Sequence, residues 1–267
     1  MWYNIVRYYT GSKRSAVAIV EVRKIGLVEE RIMKLIFIRH GDPDYVNDTL
    51  TEKGRREAEL LSDMVSKWDV KQFYCSPLGR AKDPAAYALN KMGRDATIYP
   101  WLKEFYIDVK DPETGNNRIP WDFMPKYWTN QPELYDKDKW LDADVMKTGP
   151  VREKYEEVSK GLDDLLAEHG YERNGNYYKA VSPNEDTIVI FCHLGVSFVM
   201  LSHLLGISPS VLWQGFFVAP TSVTVLCTEE RVKGDACFRV KRFGDVSHLY
   251  VGGEKPSDSG FFEEISK

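Results

Sequence analysis

Cysteine is scarce: Cys75, Cys192, Cys227 and Cys237 are the only four, and their spacing matches no metal-ligand pattern. Three of them lie in or beside apolar strand-like runs, where cysteine serves as a small core residue. So few thiols predict a reducing, cytoplasmic compartment. Excess positive charge is missing as well. The formal net charge is −4, which argues against nucleic acid as a partner, because a phosphate backbone is bound by a basic face. An uninterrupted apolar span is also lacking. The most apolar window, residues 187–207, contains His193, Ser197, Ser202, His203 and two glycines, and its first half reads as strand, so no membrane partner is expected. The opening residues, 1–31, have no signal-peptide pattern of charge, apolar core and small-residue cleavage site. No internal repeat or low-complexity tract is present.

What is there is an ordinary globular composition, 43% apolar and 28% charged in 267 residues, enough for one large α/β domain with an insertion, or at most two small domains. The chain is organised around residues 35–41. Leu35, Ile36, Phe37 and Ile38 run without a polar break and stop at Arg39, His40 and Gly41. Such a run predicts a parallel strand covered on both faces, since alternation disappears when neither face meets water. Ligands in open α/β sheets bind beyond the carboxyl ends of such strands. Gly41 permits a sharp turn and leaves room beside the histidine.

Ahead of this strand, residues 1–33 form a weakly patterned appendage with one strand-like run at 15–22, and Met33 is the expected start of the domain that fills 34–267. After it, Thr51 is placed to cap a helix whose Ala58, Leu61, Met64, Val65 and Trp68 recur at helical spacing. Residues 72–75 predict a second strand, ending in Ser76-Pro77-Leu78-Gly79-Arg80. Asp83 is expected to cap the next helix, with Pro84 in its first turn. A third strand is expected at 97–102, followed by Glu104. Residues 105–150 then hold five prolines and Trp121, Trp128 and Trp140. An excursion of that length predicts a lid or binding insertion. Its aromatics suit either an apolar leaving group or packing against the sheet. Val151, Tyr155, Val158, Leu162 and Leu165 resume helical spacing. Residues 187–192 are the cleanest buried strand and deliver His193, with a helix over 195–206 behind it. A closing strand pair is expected at 223–227 and 237–242, and the tail beyond Tyr250 reads as frayed. Of the remaining histidines, His169 reads as a helix C-terminal cation, His203 as a core or boundary residue, and His248 as part of a late polar strand.

Strand ends thus carry Arg39 and His40, Arg80, and His193, with Glu104 just past another. Such ends converge on one side of a sheet, and a cluster of cations and donors there suits a phosphoryl group. Arg39-His40-Gly41, Leu50-Thr51-Glu52-Lys53-Gly54, Ser76-Pro77-Leu78-Gly79-Arg80-Ala81, Glu104 and His193 resemble, in order, the signatures of the histidine phosphatase superfamily, the phosphoglycerate-mutase-like fold. The resemblance covers about 34–104 and 187–227. It implies a three-layer α/β sandwich with a mostly parallel central sheet, and a metal-independent phosphomonoesterase that removes phosphate from a small metabolite.

By the same resemblance His40 is the nucleophile and becomes a phosphohistidine. Arg39, Arg80 and His193 hold the phosphoryl oxygens, and the start of the helix at Leu194 adds backbone donors. Glu104 is the acid and base, because the aspartate that follows the second histidine in another branch is replaced by Leu194. No metal or other cofactor is implied, the arginines supplying the positive charge. The partners implied are a small phosphorylated substrate and, as the one protein partner considered, a second copy in a homodimer. The chain also departs from the pattern. An asparagine common six residues after the first histidine is Val46 here, so Asn47, one further on, is the candidate phosphate ligand. The residues after Glu104 lack the mutase-branch pattern, which favours a phosphatase. The alternatives are mutase-type phosphoryl transfer and a catalytically silent phospho-ligand-binding protein on the same fold. A cysteine-nucleophile loop fails on paper, since Cys75 and Arg80 are one residue too close. A magnesium-dependent aspartate nucleophile would have to use Asp42 or Asp44, which come too late after the strand.

Overall fold

A computed structural model describes residues 31–261; the strand-like run at 15–22, and with it nearly all of the expected appendage, lies outside the described residues. The main strands are β1 (Lys34–Arg39), β2 (Gln72–Cys75), β3 (Thr97–Ile98), β4 (Tyr171–Asn174), β5 (Tyr177–Ala180), β6 (Thr187–Cys192), β7 (Val223–Val232) and β8 (Asp235–Asp245). The main helices are α1 (Glu52–Val65), α2 (Gly79–Met92), α3 (Val151–Glu168), α4 (Leu194–Leu205), α5 (Pro209–Gly215) and α6 (Ser247–Val251). The described residues build a mixed eight-stranded sheet in the order β3-β2-β6-β1-β7-β8-β5-β4. The half containing β3, β2, β6 and β1 is parallel, and β7 joins β1 antiparallel to begin the other half.

β1 is apolar throughout because each of its faces is covered. Ile36 and Ile38 pack with Leu61 and Val65 of α1 and with Ala81, Ala85 and Ala88 of α2. Leu35 and Phe37 point the other way, into a larger core with Leu162 and Leu165 of α3 and Val196 and Phe198 of α4. This is the α/β sandwich that the unbroken apolar run demands. Met33 is fully buried ahead of the strand, its N–H on the Thr228 hydroxyl at 2.9 Å.

The Thr51 hydroxyl caps α1 by accepting from the Gly54 N–H at 3.0 Å, an arrangement that contributes about 1 kcal/mol. The expected cap of α2 is different. The helix starts at Gly79, after Leu78, and Pro84 lies inside it; Asp83 instead bonds the Thr49 hydroxyl. The third strand is only Thr97–Ile98, since Pro100 opens a 3₁₀ turn at Pro100–Leu102. The closing pair is longer than the apolar pattern implied, because β7 and β8 carry polar residues on their outer ends. The Tyr171–Ala180 hairpin extends the sheet beyond it.

The insertion at 105–150 is anchored in the core. Phe123, Leu134, Trp140, Val145 and Met146 are all buried in the same cluster as α3 and α4, and Trp140 meets Tyr155 and Trp213 edge-on at 5.1 and 5.7 Å.

The tail is not frayed where it is described. Glu254 pairs with Lys53 and Arg56 at 2.8 and 3.0 Å, and Ser257 bonds Asp42. These contacts bring the segment back over α1 and the end of β1. His248 sits in α6 instead of a strand, buried, with Nε2 on the Thr221 hydroxyl at 3.1 Å. His169 is a C-cap but not a cation. Its Nε2 meets the Tyr74 hydroxyl at 2.9 Å, and burial lowers its pKa from the ordinary value. His203 contacts the Asp163 carboxylate at 2.9 Å. The window at 187–207 resolves into β6, His193 and α4. No helix among the described residues is long and apolar enough to cross a membrane.

Candidate active site

Strand register brings the two histidines together. β1 and β6 run parallel with Arg39 opposite Cys192, and the His40 N–H donates to the Cys192 carbonyl at 3.0 Å. The next residue on each strand is therefore a histidine, and the two rings lie 5.2 Å apart at a 54° tilt. β2 continues the alignment on the other side of β6. The Ser76 N–H donates to the Phe191 carbonyl at 2.9 Å, which sets the Ser76 hydroxyl 2.7 Å from His193 Nε2.

Both imidazoles are buried, His40 at 2% and His193 at 0% exposure. Burial pushes the pKa of His40 well below the usual imidazole range, with the neighbouring Arg39 adding to it. His193 is lowered likewise, by burial first and then by His40, Arg80 and Arg39. Each ring is therefore neutral at physiological pH and carries one proton. His40 Nδ1 lies 2.7 Å from the Gly41 carbonyl oxygen. A carbonyl only accepts, so the proton is on Nδ1 and the Nε2 lone pair is free. Gly41 itself lies against α1, where a Cβ would come within 2.9 Å of the Gly54 carbonyl oxygen.

Arg39 is 5% exposed. It donates to the Val218 carbonyl at 2.6 Å and the Ser259 carbonyl at 2.8 Å, and it lies over the Phe217 ring. Burial lowers its pKa, opposed by the neighbouring Tyr45 hydroxyl and by Glu104. Arg80 belongs to the first turn of α2. Its Nη1 pairs with Asp48 Oδ1 at 2.7 Å, while Asp48 Oδ2 takes the Gly79 N–H at 2.7 Å. Tyr45 covers the guanidinium at 5.5 Å. The Nε atoms of both arginines, and Nδ1 of His193, are buried without a hydrogen-bond partner. Unsatisfied donors of this kind are costly unless a ligand meets them.

Glu104 Oε1 accepts from its neighbour Phe105 N–H at 2.8 Å and from the Val196 N–H at 2.9 Å. It therefore sits at the N-terminus of α4, one helical turn from His193. Leu194, in the same turn, is 4% exposed and lines a cavity beside the site.

His40, His193, Arg39, Arg80 and Glu104 thus share one end of the parallel half of the sheet. Asn47 does not join them. Its side chain donates to Asp44 Oδ2 at 2.7 Å and is exposed; an aspartate three residues back closes a local turn that holds the amide in its own loop. Three participants were not assigned a role from the sequence. Ser76 was visible inside a motif, and its position directly after a strand was the available signal. Asp48 and the 257–261 segment had none, because their contacts with Arg80, Asp42 and Arg39 cross 32 residues or more. Among the described residues no group of three or more His, Cys, Asp or Glu side chains is arranged to hold a metal ion.

The chain matches known proteins in sequence and in fold. Residues 35–234 match the sequence profile of the histidine phosphatase superfamily (branch 1). A probable phosphatase of Schizosaccharomyces pombe is 24% identical over 233 residues, spanning 81% of this chain and 95% of that protein. A mycobacterial glucosyl-3-phosphoglycerate phosphatase has a similar fold, with a TM-score of 0.55 at 17% identity over 80% of this chain and 99% of that one. A mutant phosphoserine phosphatase of Entamoeba histolytica, solved with phosphoserine, gives 0.52 at 19% identity over 81% and 99%.

Proposed function

Because this chain belongs to the histidine phosphatase superfamily, we propose that it is a metal-independent phosphomonoesterase that works through a phosphohistidine on Nε2 of His40. The observation that carries this reading is the His40 ring itself: buried, neutral, with Nδ1 tied to the Gly41 carbonyl and Nε2 unprotonated. A nucleophile needs that state, and most histidines in solution at neutral pH are free to lose it by tautomerising.

In the first step His40 Nε2 attacks phosphorus and the bond to the leaving oxygen breaks. Arg39 and Arg80 neutralise the charge on the phosphoryl oxygens, with donors that are already fixed before the reaction begins. His193 contributes through Nδ1. Its Nε2 is held by the Ser76 hydroxyl, and with that hydroxyl donating, the imidazole proton lies on Nδ1 and is offered to the phosphoryl group. Glu104 supplies the proton to the leaving oxygen. Oε1 is engaged by the two backbone N–H groups, so Oε2 is the oxygen that carries it. In the second step the same oxygen takes a proton from water, water attacks phosphorus, the P–N bond breaks and phosphate leaves.

The test is phosphate release from an aryl phosphate in the presence of excess chelator, with protein quenched in alkaline detergent and assayed for base-stable, acid-labile phosphate. Release that survives chelation, and label that disappears in His40→Ala, are expected. Release that continues in His40→Ala would overturn the nucleophile assignment.

A further inference from the structure

A cavity of about 320 Å³ opens beside the site, walled by Trp121, Leu194, Trp213, Phe216, Phe217 and Phe261. This is the size of a small-ligand pocket. It adjoins the reaction centre on the side of the proposed proton donor. Leu194 follows His193 directly. A Cβ on Gly195 would lie 2.7 Å from Glu104 Oε1 and 3.2 Å from Cε2 of Trp121, so the indole stands next to the carboxyl group. Across the cavity, Phe217 lies under the Arg39 guanidinium and meets Phe261 edge-on at 5.3 Å. A leaving group that extended past Leu194 and Trp121 would enter this space.

The chemistry of the walls is one-sided. Trp121 Nε1 donates to the Phe105 carbonyl at 3.2 Å and Trp213 Nε1 to the Gly195 carbonyl at 3.1 Å, so both indoles turn their polar edges to backbone. None of the described residues that line the cavity carries a charge. The polar side chain among them is the neutral amide of Gln214, whose Nε2 is buried without a partner. A carboxylate or second phosphate placed here would lose its water and meet no cation on the walls; the nearest, Arg39 behind Phe217, already has both Nη atoms on backbone carbonyls, so the exchange is unfavourable. A flat ring would bury its faces against tryptophan and phenylalanine, which is favourable.

Resting on the phosphatase reading above, we infer that this enzyme acts on phosphomonoesters whose leaving group is an uncharged, ring-bearing alcohol or phenol, and that it discriminates against leaving groups carrying a carboxylate or a second phosphate.

The full-length protein is tested in two ways. Calorimetric binding compares 1-naphthylmethylphosphonate with 2-amino-4-phosphonobutanoate, both non-hydrolysable. Turnover compares 1-naphthyl phosphate with phosphoserine and 3-phosphoglycerate. The aromatic member is expected to bind at least tenfold tighter and to have at least tenfold higher kcat/KM. Trp121→Ala should reduce the binding preference about tenfold; Phe216→Ala, at a side chain 49% exposed, should reduce it in the same direction if the tryptophan variant does not fold. Equal binding, or preference for the charged ligand, overturns the inference, as does a preference that neither substitution changes. If no ester is hydrolysed, the phosphatase reading fails while the binding comparison still decides what the cavity accepts.

Discussion

Glu104 Oε1 accepts the Val196 N–H at 2.9 Å within the first turn of the helix that begins beside His193. The proposed acid and the second histidine are thereby positioned by one structural element, and any shift of that helix start moves both. Between them lies Gly195, whose Cα faces the carboxyl group.

Gly195→Ala follows from this contact. The added methyl would sit 2.7 Å from Oε1, closer than real Cβ atoms come, and a tight 3.2 Å from Trp121, and the movable partner is the Glu104 side chain. Displacement of about 1 Å costs roughly 10²-fold in rate. The expected result is a fall in kcat of about 10–100-fold with α4 still formed. Steady-state kinetics beside a thermal melt check it; an unchanged kcat would mean Glu104 does not act from this position.

Ser76→Ala removes the hydroxyl that holds His193 Nε2. A buried imidazole nitrogen is then left without a partner, and the tautomer is no longer specified. The expected outcome is a loss of about 1–3 kcal/mol in stability together with a drop in kcat. Ser76→Thr keeps a hydroxyl and should restore part of kcat. Rescue by threonine without rescue of stability would separate the tautomer role from packing; failure of rescue in both would remove Ser76 from the mechanism.

Stability should depend on pH in two opposed ways. Burial lowers the pKa of His40 and His193 well below the usual value and takes His248 down to about 4. The unfolded chain therefore takes up protons that the native state refuses once the pH falls below about 6.5, and stability declines from there toward acid. Glu57 behaves in the opposite sense. Its side chain is fully buried behind Asp42, whose N–H it accepts at 2.9 Å, and burial raises its pKa to about 7. The native state keeps this proton where the unfolded chain has lost it, so its contribution is whole below about 4.5 and is lost as the pH rises toward 7. Glu57→Gln keeps an acceptor for the Asp42 N–H and has no proton to lose. Relative to the parent it should gain about 1–3 kcal/mol between pH 5 and pH 8. Urea denaturation at the two pH values measures this, and a difference that does not change with pH would place the Glu57 titration elsewhere.

The sequence by itself determined the sandwich and pointed to the groups proposed to react. Leu35 to Ile38 could only be buried on both faces, Thr187 to Cys192 repeated the pattern, and Arg39-His40, Arg80, Glu104 and His193 stood at the ends of such elements. These are local signals, written in consecutive residues. The tertiary structure decided what depends on contacts between distant parts of the chain. Strand register, not spacing along the sequence, placed the two imidazoles 5.2 Å apart and set Ser76 against one of them. Asn47 fell to its neighbour Asp44, because a turn closed within three residues costs less chain entropy than reaching the site. The tail beyond Tyr250 reads as polar and loose, yet Ser259 holds Arg39 and Phe261 walls the cavity. Partners 44 and 220 residues away supply that order, and no periodicity in the tail announces them.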